Sequence, residues 1–122
     1  MDILKAFKIN TDDFPVNIQG THEEPLFQAN QIAKILGIKN ISKSLLNLNE
    51  NEKVITTSYT LGGEQECLYL TENGLYRFLG QSRKPIAKTF QNWMTDVIKE
   101  IRLTGMYRLK QENEVDKQLL KN

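Results

Sequence analysis

Residues 70–107, LTENGLYRFLGQSRKPIAKTFQNWMTDVIKEIRLTGMY, decide how the rest of the chain must be arranged. Thr71 followed by Glu72 is a helix-start pair: a threonine oxygen can accept an orphan amide, and an acid favours the positive end of the helix dipole. Leu75, Phe78 and Leu79 share one face, and Gly80 marks a pause. The pattern predicts a restart at Ser82, an N-cap candidate, with Pro85 in the first turn where its missing N–H is tolerated. Ile86, Phe90, Trp93, Met94, Val97, Ile98 and Ile101 then recur at helical spacing. Gly105 stands where a left-handed residue would end the helix. This long amphipathic segment holds the only tryptophan and predicts the backbone of the core. Its polar side opens with Arg83, Lys84 and Lys88.

The hairpin before it reads almost as clearly. Residues 54–59 and 66–70 are strand-like, and Leu61-Gly62-Gly63-Glu64 between them is a turn signal. Further upstream, residues 3–9 and 14–18 read as short strands around a turn at Asn10-Thr11-Asp12-Asp13, with Leu26-Phe27 a third, very short strand. Residues 28–48, QANQIAKILGIKNISKSLLNL, read as two short helices joined through Gly37-Ile38, with Asn40 capping the second. The pair resembles a helix-turn-helix whose first half fits the pattern. The second half departs from it: Lys43 stands where an aliphatic residue is wanted, so a shortened or rotated second helix is expected. A purely structural helix pair is the plainer alternative. The whole predicts an α+β fold: a small antiparallel sheet and hairpin packed with the helix-turn-helix-like pair and the long amphipathic C-terminal helix. A domain over residues 1–107 is expected, followed by a helical linker or tail over 108–122 whose Leu109, Val115, Leu119 and Leu120 are too irregular for a heptad.

The 122 residues suit one domain with a real core, and 39% hydrophobic with 25% charged residues is the balance of a soluble globular chain. No apolar run reaches the ~18 residues of a membrane span, and no signal peptide is expected, since Met1 leads straight into charged residues. One cysteine, Cys67, excludes an internal disulfide and a cysteine-built zinc site. An intracellular protein is expected. Net charge is only +1 but unevenly spread. Residues 31–48 carry Lys34, Lys39 and Lys43 with no acid, and residues 73–110 hold eight Lys/Arg against Asp96 and Glu100. Residues 49–72 hold five glutamates and one lysine. Such alternation allows one positive face; a mixed, solvated surface is the alternative.

Chemistry finds little footing. His22 is the single histidine and sits in a polar turn, no spaced carboxylate cluster stands out, and Cys67 lies in a predicted strand as an inert thiol would. No phosphate loop, dinucleotide fingerprint or nucleophile–base pair can be assembled. The chain is expected not to be an enzyme and to need no cofactor or metal. Binding is better supported. Lys34, Lys39, Asn40, Ser42 and Lys43 surround the turn and second helix, where amides and long cations meet base edges and phosphates. Ser82, Arg83 and Lys84 lie at a helix start, which attracts anions, with Arg77 and Lys88 flanking. The competing reading leaves Arg83 and Lys84 solvated or paired with the glutamates of 49–72.

The chain also resembles a known family. Ordered blocks FQANQIAKILGI (27–38), NENEK (49–53), GGEQ (62–65), GLYR, SRKP, FQNW and IRLTGMY are similar to the BRO-N domain, which opens baculovirus repeated-ORF proteins, many phage antirepressors and homologues in large DNA viruses. The match covers about residues 3–107. The resemblance implies a small α+β domain of viral or prophage origin that binds DNA in gene regulation, acting in the infected host cell, in cytoplasm or nucleus. In that family the domain often precedes a separate C-terminal domain through a helical linker. The Asn/Lys/Ile richness inclines the expectation towards a large eukaryotic DNA virus over a phage. Duplex DNA is the expected partner. A regulator protein bound directly, as an antirepressor would bind it, is the alternative, and a second copy of the chain is a further candidate; no membrane partner is expected.

Overall fold

The computed structural model describes the backbone of residues 1–120 and the side chains of residues 1–58 and 61–106. Strands β1 (Ile3–Ile9) and β2 (Asp12–Gly20) form the first hairpin, with Phe7 opposite Phe14 and Ile3 opposite Ile18. Its turn is tighter than the four residues expected. Asn10 takes a φ of 57°, a left-handed value asparagine tolerates, so Asp12 and Asp13 already pair with Ile9 and Lys8. Strand period does the rest: Phe7, Val16 and Ile18 are buried, while Ala6, Lys8 and Pro15 face out. Strand β3 (Pro25–Gln28) sets Phe27 between Ile18 of β2 and Leu70 of β5 (Gly63–Leu70), which pairs in turn with β4 (Lys53–Thr60). The sheet is antiparallel throughout, in the order β1-β2-β3-β5-β4.

On the face away from the helices, Gln19 ties the second hairpin back to β2. Its Nε2 donates to the Thr57 carbonyl (3.2 Å) and its Oε1 accepts from Thr56 Oγ1 (3.2 Å). Beneath that tie, the fully buried Tyr69 hydroxyl shares a 2.6 Å hydrogen bond with Ser58. A buried phenol needs such a partner, because an unpaired one costs about 1–3 kcal/mol.

Helix α1 (Ala29–Leu36) leaves β3 with no loop, and Gln31 on its first turn continues the sheet ladder with a side chain. The Asn17 amide donates to Gln31 Oε1 (2.6 Å), and Gln31 Nε2 donates to Asn17 Oδ1 (2.6 Å). After a short helix α2 (Ile41–Leu45) and a 3-10 turn (Glu50–Glu52), the β4–β5 hairpin delivers the chain to α3 (Glu72–Gly80). Thr71 caps α3 as expected, its Oγ1 accepting from the Gly74 amide (3.1 Å). Ala87, Phe90, Met94, Val97, Ile98 and Ile101 of α4 (Pro85–Leu120) are buried, and Phe7, Phe90 and Trp93 form a ring cluster with centroids 5.1–5.7 Å apart. Each such fully buried large apolar side chain contributes about 1.5–3 kcal/mol.

Two expectations for α4 are corrected. The helix begins at Pro85, not Ser82, because a residue before proline is disfavoured in helical geometry and proline is suited to the first helical position. Nor does it stop at Gly105. Its backbone runs on to Leu120, so the expected tail is continuous with the core helix, and the side chains named there lie outside the described ones. Gly105 is used for close approach instead: a Cβ there would lie 2.6 Å from His22 Cβ, so the bare backbone is what lets the β2–β3 turn pack on the helix. His22, although in a polar turn, is half-buried and packs against this helix. Among the described residues no helix is long and apolar enough to cross a membrane.

Candidate nucleic-acid interface

The turn after α1 is built by its backbone. Gly37 adopts φ 68°, ψ 31°, and its amide and that of Ile38 return to the carbonyls of Lys34 (3.2 Å) and Ala33 (2.9 Å), the pairing that closes a helix through a left-handed glycine. That leaves the carbonyls of Leu36 and Gly37. Lys84, at the far side of the chain, donates its ammonium to both (2.9 and 3.4 Å). A cation at a helix C-terminus is favoured by the dipole as well as by the hydrogen bonds. Asn40 then starts α2, its Oδ1 accepting from the Lys43 amide (3.3 Å).

Helix α2 has five residues, none of them buried, which fits the expected shortening. It is held from outside. Gln81, in the pause between α3 and α4, donates to the Ser44 carbonyl (3.0 Å) and accepts from Asn47 Nδ2 (3.2 Å), while Leu48 is buried in the core. These ties close a groove of ≈ 600 Å³ lined by Gly37, Ile38, Ser44, Gln81, Arg83 and Lys84 among others. The two basic segments, far apart in sequence, meet here.

The candidate residues divide accordingly. Lys34, Lys39, Asn40, Ser42 and Lys43 are exposed on α1, the turn and α2; Arg83 and Lys88 are exposed at the start of α4. Among the described residues Lys34, Lys39, Lys43, Arg83 and Lys88 form no ion pair. Ser82 is half-buried and accepts from the Lys84 amide (3.3 Å). Lys84 stays exposed, but its ammonium is held by the Leu36 and Gly37 carbonyls, and among the described residues it pairs with no glutamate. The helix start offers fewer amides than expected, since Pro85 has none, that of Lys84 is taken by Ser82 and that of Ala87 by the Lys84 carbonyl (3.1 Å). Attraction for an anion there falls to the Arg83 side chain and the dipole.

Arg77 belongs elsewhere. Its Nε donates to both oxygens of Glu52 (3.0 and 3.1 Å). The Glu52 carboxyl is buried and also accepts the Asn49 amide (2.8 Å). That amide, ahead of the hydrogen bond and charge of Arg77, holds the carboxyl below the usual carboxylate range against the opposing push of burial. Glu52 lines a second cavity of ≈ 640 Å³ with Glu23, Glu24 and Glu72, so Arg77 serves the acidic side of the molecule. Residues missed in the sequence are Gln81, Ser44 and Asn47, whose braces shape the groove. Nothing in their spacing signals it, because each bond spans more than thirty positions. Among the described residues no group of three or more His, Cys, Asp or Glu side chains is placed to hold a metal.

Comparison with known proteins completes the picture. An uncharacterized protein of Haemophilus influenzae is 35% identical over 104 residues, covering 82% of this chain and 51% of that protein. A Bro-N domain-containing protein of Invertebrate iridescent virus 6 is 29% identical over 117 residues, covering 80% of this chain and 28% of its own length. One from Invertebrate iridescent virus 3 is 26% identical over 128 residues, with 85% and 32% covered. The chain thus spans about half the length of the bacterial relative and about three tenths of the viral ones. Relatives therefore stand on both sides of the division between eukaryotic viruses and bacteria. No solved structure matches the chain at a significant level. The model of the BRO family N-terminal domain, Bro-N, matches residues 15–100, and the chain belongs to that family.

Proposed function

We propose that this Bro-N domain binds duplex DNA, acting as a regulatory module by binding and not by catalysis. The observation that carries the reading is that the two basic segments meet at one groove, which Arg83 borders, while Lys34, Lys39, Lys43 and Lys88 are exposed on the elements that form it and, like Arg83, make no ion pair among the described residues. Lys39, Ser42 and Lys43 face the bases and nearest phosphates, while Lys34, Arg83 and Lys88 neutralise phosphates on either side. Net charge plays little part, since it is only +1; the local field at the groove does the attracting.

The test is fluorescence anisotropy of a labelled duplex across a salt series. Each phosphate neutralised adds ~0.9 to the log–log salt slope, so four or so contacts give a slope of about −4 and roughly a 200-fold loss of affinity between 50 and 200 mM salt. Absence of a complex with any duplex at low salt overturns the reading. A second reading, direct binding of a regulator protein, is favoured by a different surface: Leu103 and Met106 of α4 are 66% and 67% exposed beside a cavity of ≈ 710 Å³ that Tyr76 and Ile98 also line. Regulator binding that survives high salt and nuclease, and is lost on charging Leu103, would select it.

A further inference from the structure

Large apolar side chains exposed among the described residues include Leu4, Leu46, Ile55, Leu61, Leu103 and Met106. Isolated exposed leucines are ordinary and need no explanation. Leu46 differs by position. It is 81% exposed, it follows directly on α2, and it lies in a stretch, residues 25–49, that contains no acid. Ser42 and Lys43 precede Leu46 by four and three positions on α2 and its helical C-cap, so these three side chains share one side of the helix.

Leu46 is also held in place. Its amide closes on the Lys43 carbonyl (3.3 Å), the Ser44 carbonyl and the Asn47 side chain are both tied to Gln81, and Leu48 is anchored in the core. The backbone on either side of Leu46 is therefore braced while its side chain points to solvent. A backbone already braced in this way has little ordering left to lose on binding.

We propose that Leu46 is a specificity-determining residue that covers the C5 methyl group of a thymine in the major groove. The inference rests on the duplex-binding reading above. Thymine is the one base that presents an apolar group in that groove, so an apolar side chain among cations and amides has one complementary base edge there. Burial of a methyl-sized group against it corresponds to about a fourfold gain in affinity.

The experiment selects bound duplexes from a random pool, then replaces each thymine of the selected site by deoxyuridine, which removes only the methyl. For the unaltered protein one position should lose about fourfold in affinity. Leu46→Ala should show no loss at that position while keeping the salt slope of the unaltered protein, which shows that the variant is folded and still bound through the same phosphates. The proposal is overturned if deoxyuridine is tolerated everywhere, if Leu46→Ala retains the penalty, or if selection yields no sequence preference. In all three outcomes duplex binding itself stands. No binding of the unaltered protein to any duplex removes both readings, and the anisotropy series shows that first.

Discussion

Arg83 and Lys84 are neighbours in the chain with different commitments. The Lys84 ammonium bonds two carbonyls at the C-terminus of α1, 47 and 48 positions away, and so fastens the start of α4 to the turn that carries α2. Arg83 makes no such bond among the described residues and stays exposed. Charge-assisted hydrogen bonds that are partly solvated contribute about 1–2 kcal/mol. Lys84→Met, which keeps the stem and removes the charge, should therefore lower unfolding free energy by about that amount in urea denaturation. Arg83→Ala should leave stability within about 0.5 kcal/mol and instead reduce the salt slope of duplex binding by about 1. Equal stability losses in the two variants would contradict this division. In sequence the two residues look alike, both basic and adjacent to a helix start. The acceptor is not written there, since which carbonyl an ammonium reaches depends on packing between distant elements. Arg77 is the same case: its charge was legible, its bond to Glu52 was not.

At the scale of elements, local pattern was a good guide wherever local physics decides. Alternation located the strands, the Gly-Gly turn located the second hairpin, and Thr71 was recognised as a cap because its oxygen bonds an amide only three residues on. Helix α4 is where local signals gave way. Gly105 carries the mark of a helix end, yet the helix passes through it, and the glycine answers to His22, which occupies the space where a side chain would stand. The start at Pro85 is legible, since proline itself disfavours helical geometry at Lys84; Ser82 has the chemistry of a cap but stands three positions before Pro85. The contact makes a double-mutant prediction. Alanine in a helix interior is favoured over glycine by about 0.5–1 kcal/mol, but Gly105→Ala sets a Cβ 2.6 Å from His22 Cβ, close to that residue's own backbone. Overpacking of this kind costs about 1–3 kcal/mol. Gly105→Ala alone should therefore be net destabilising by about 1–2 kcal/mol. In a His22→Gly background the same change should turn neutral or stabilising, by up to about 1 kcal/mol. Thermal unfolding of the four proteins measures the coupling, and additive effects would show that Gly105 is bare for some other reason.

For the whole molecule the decisive quantity is where charge sits. With a net charge of +1, a chain of randomly mixed charge would have little attraction for DNA. Here an acid-free stretch, residues 25–49, and the start of α4 are folded against one groove, while Glu23, Glu24, Glu52 and Glu72 gather at a separate cavity. The segregation is half legible: the alternating blocks can be counted along the chain, but what brings the two basic ones together is tertiary, the shared core and the Lys84 and Gln81 ties among it. If position and not total charge governs binding, two double reversals with the same change in net charge should behave differently. Lys39→Glu with Lys43→Glu removes two exposed cations from the turn after α1 and from α2, elements that help form the groove. Lys8→Glu with Lys99→Glu removes two exposed cations from β1 and from the α4 surface beside Leu103. The first pair should reduce the salt slope by about 2 and weaken binding at low salt by at least tenfold. The second should leave the slope unchanged and cost no more than about threefold, through long-range field alone, since exposed charges beyond roughly 10 Å are largely screened near 0.1 M salt. Equal losses for the two pairs would mean that the domain meets DNA as a diffuse polycation, and the groove would then have no special claim as its interface.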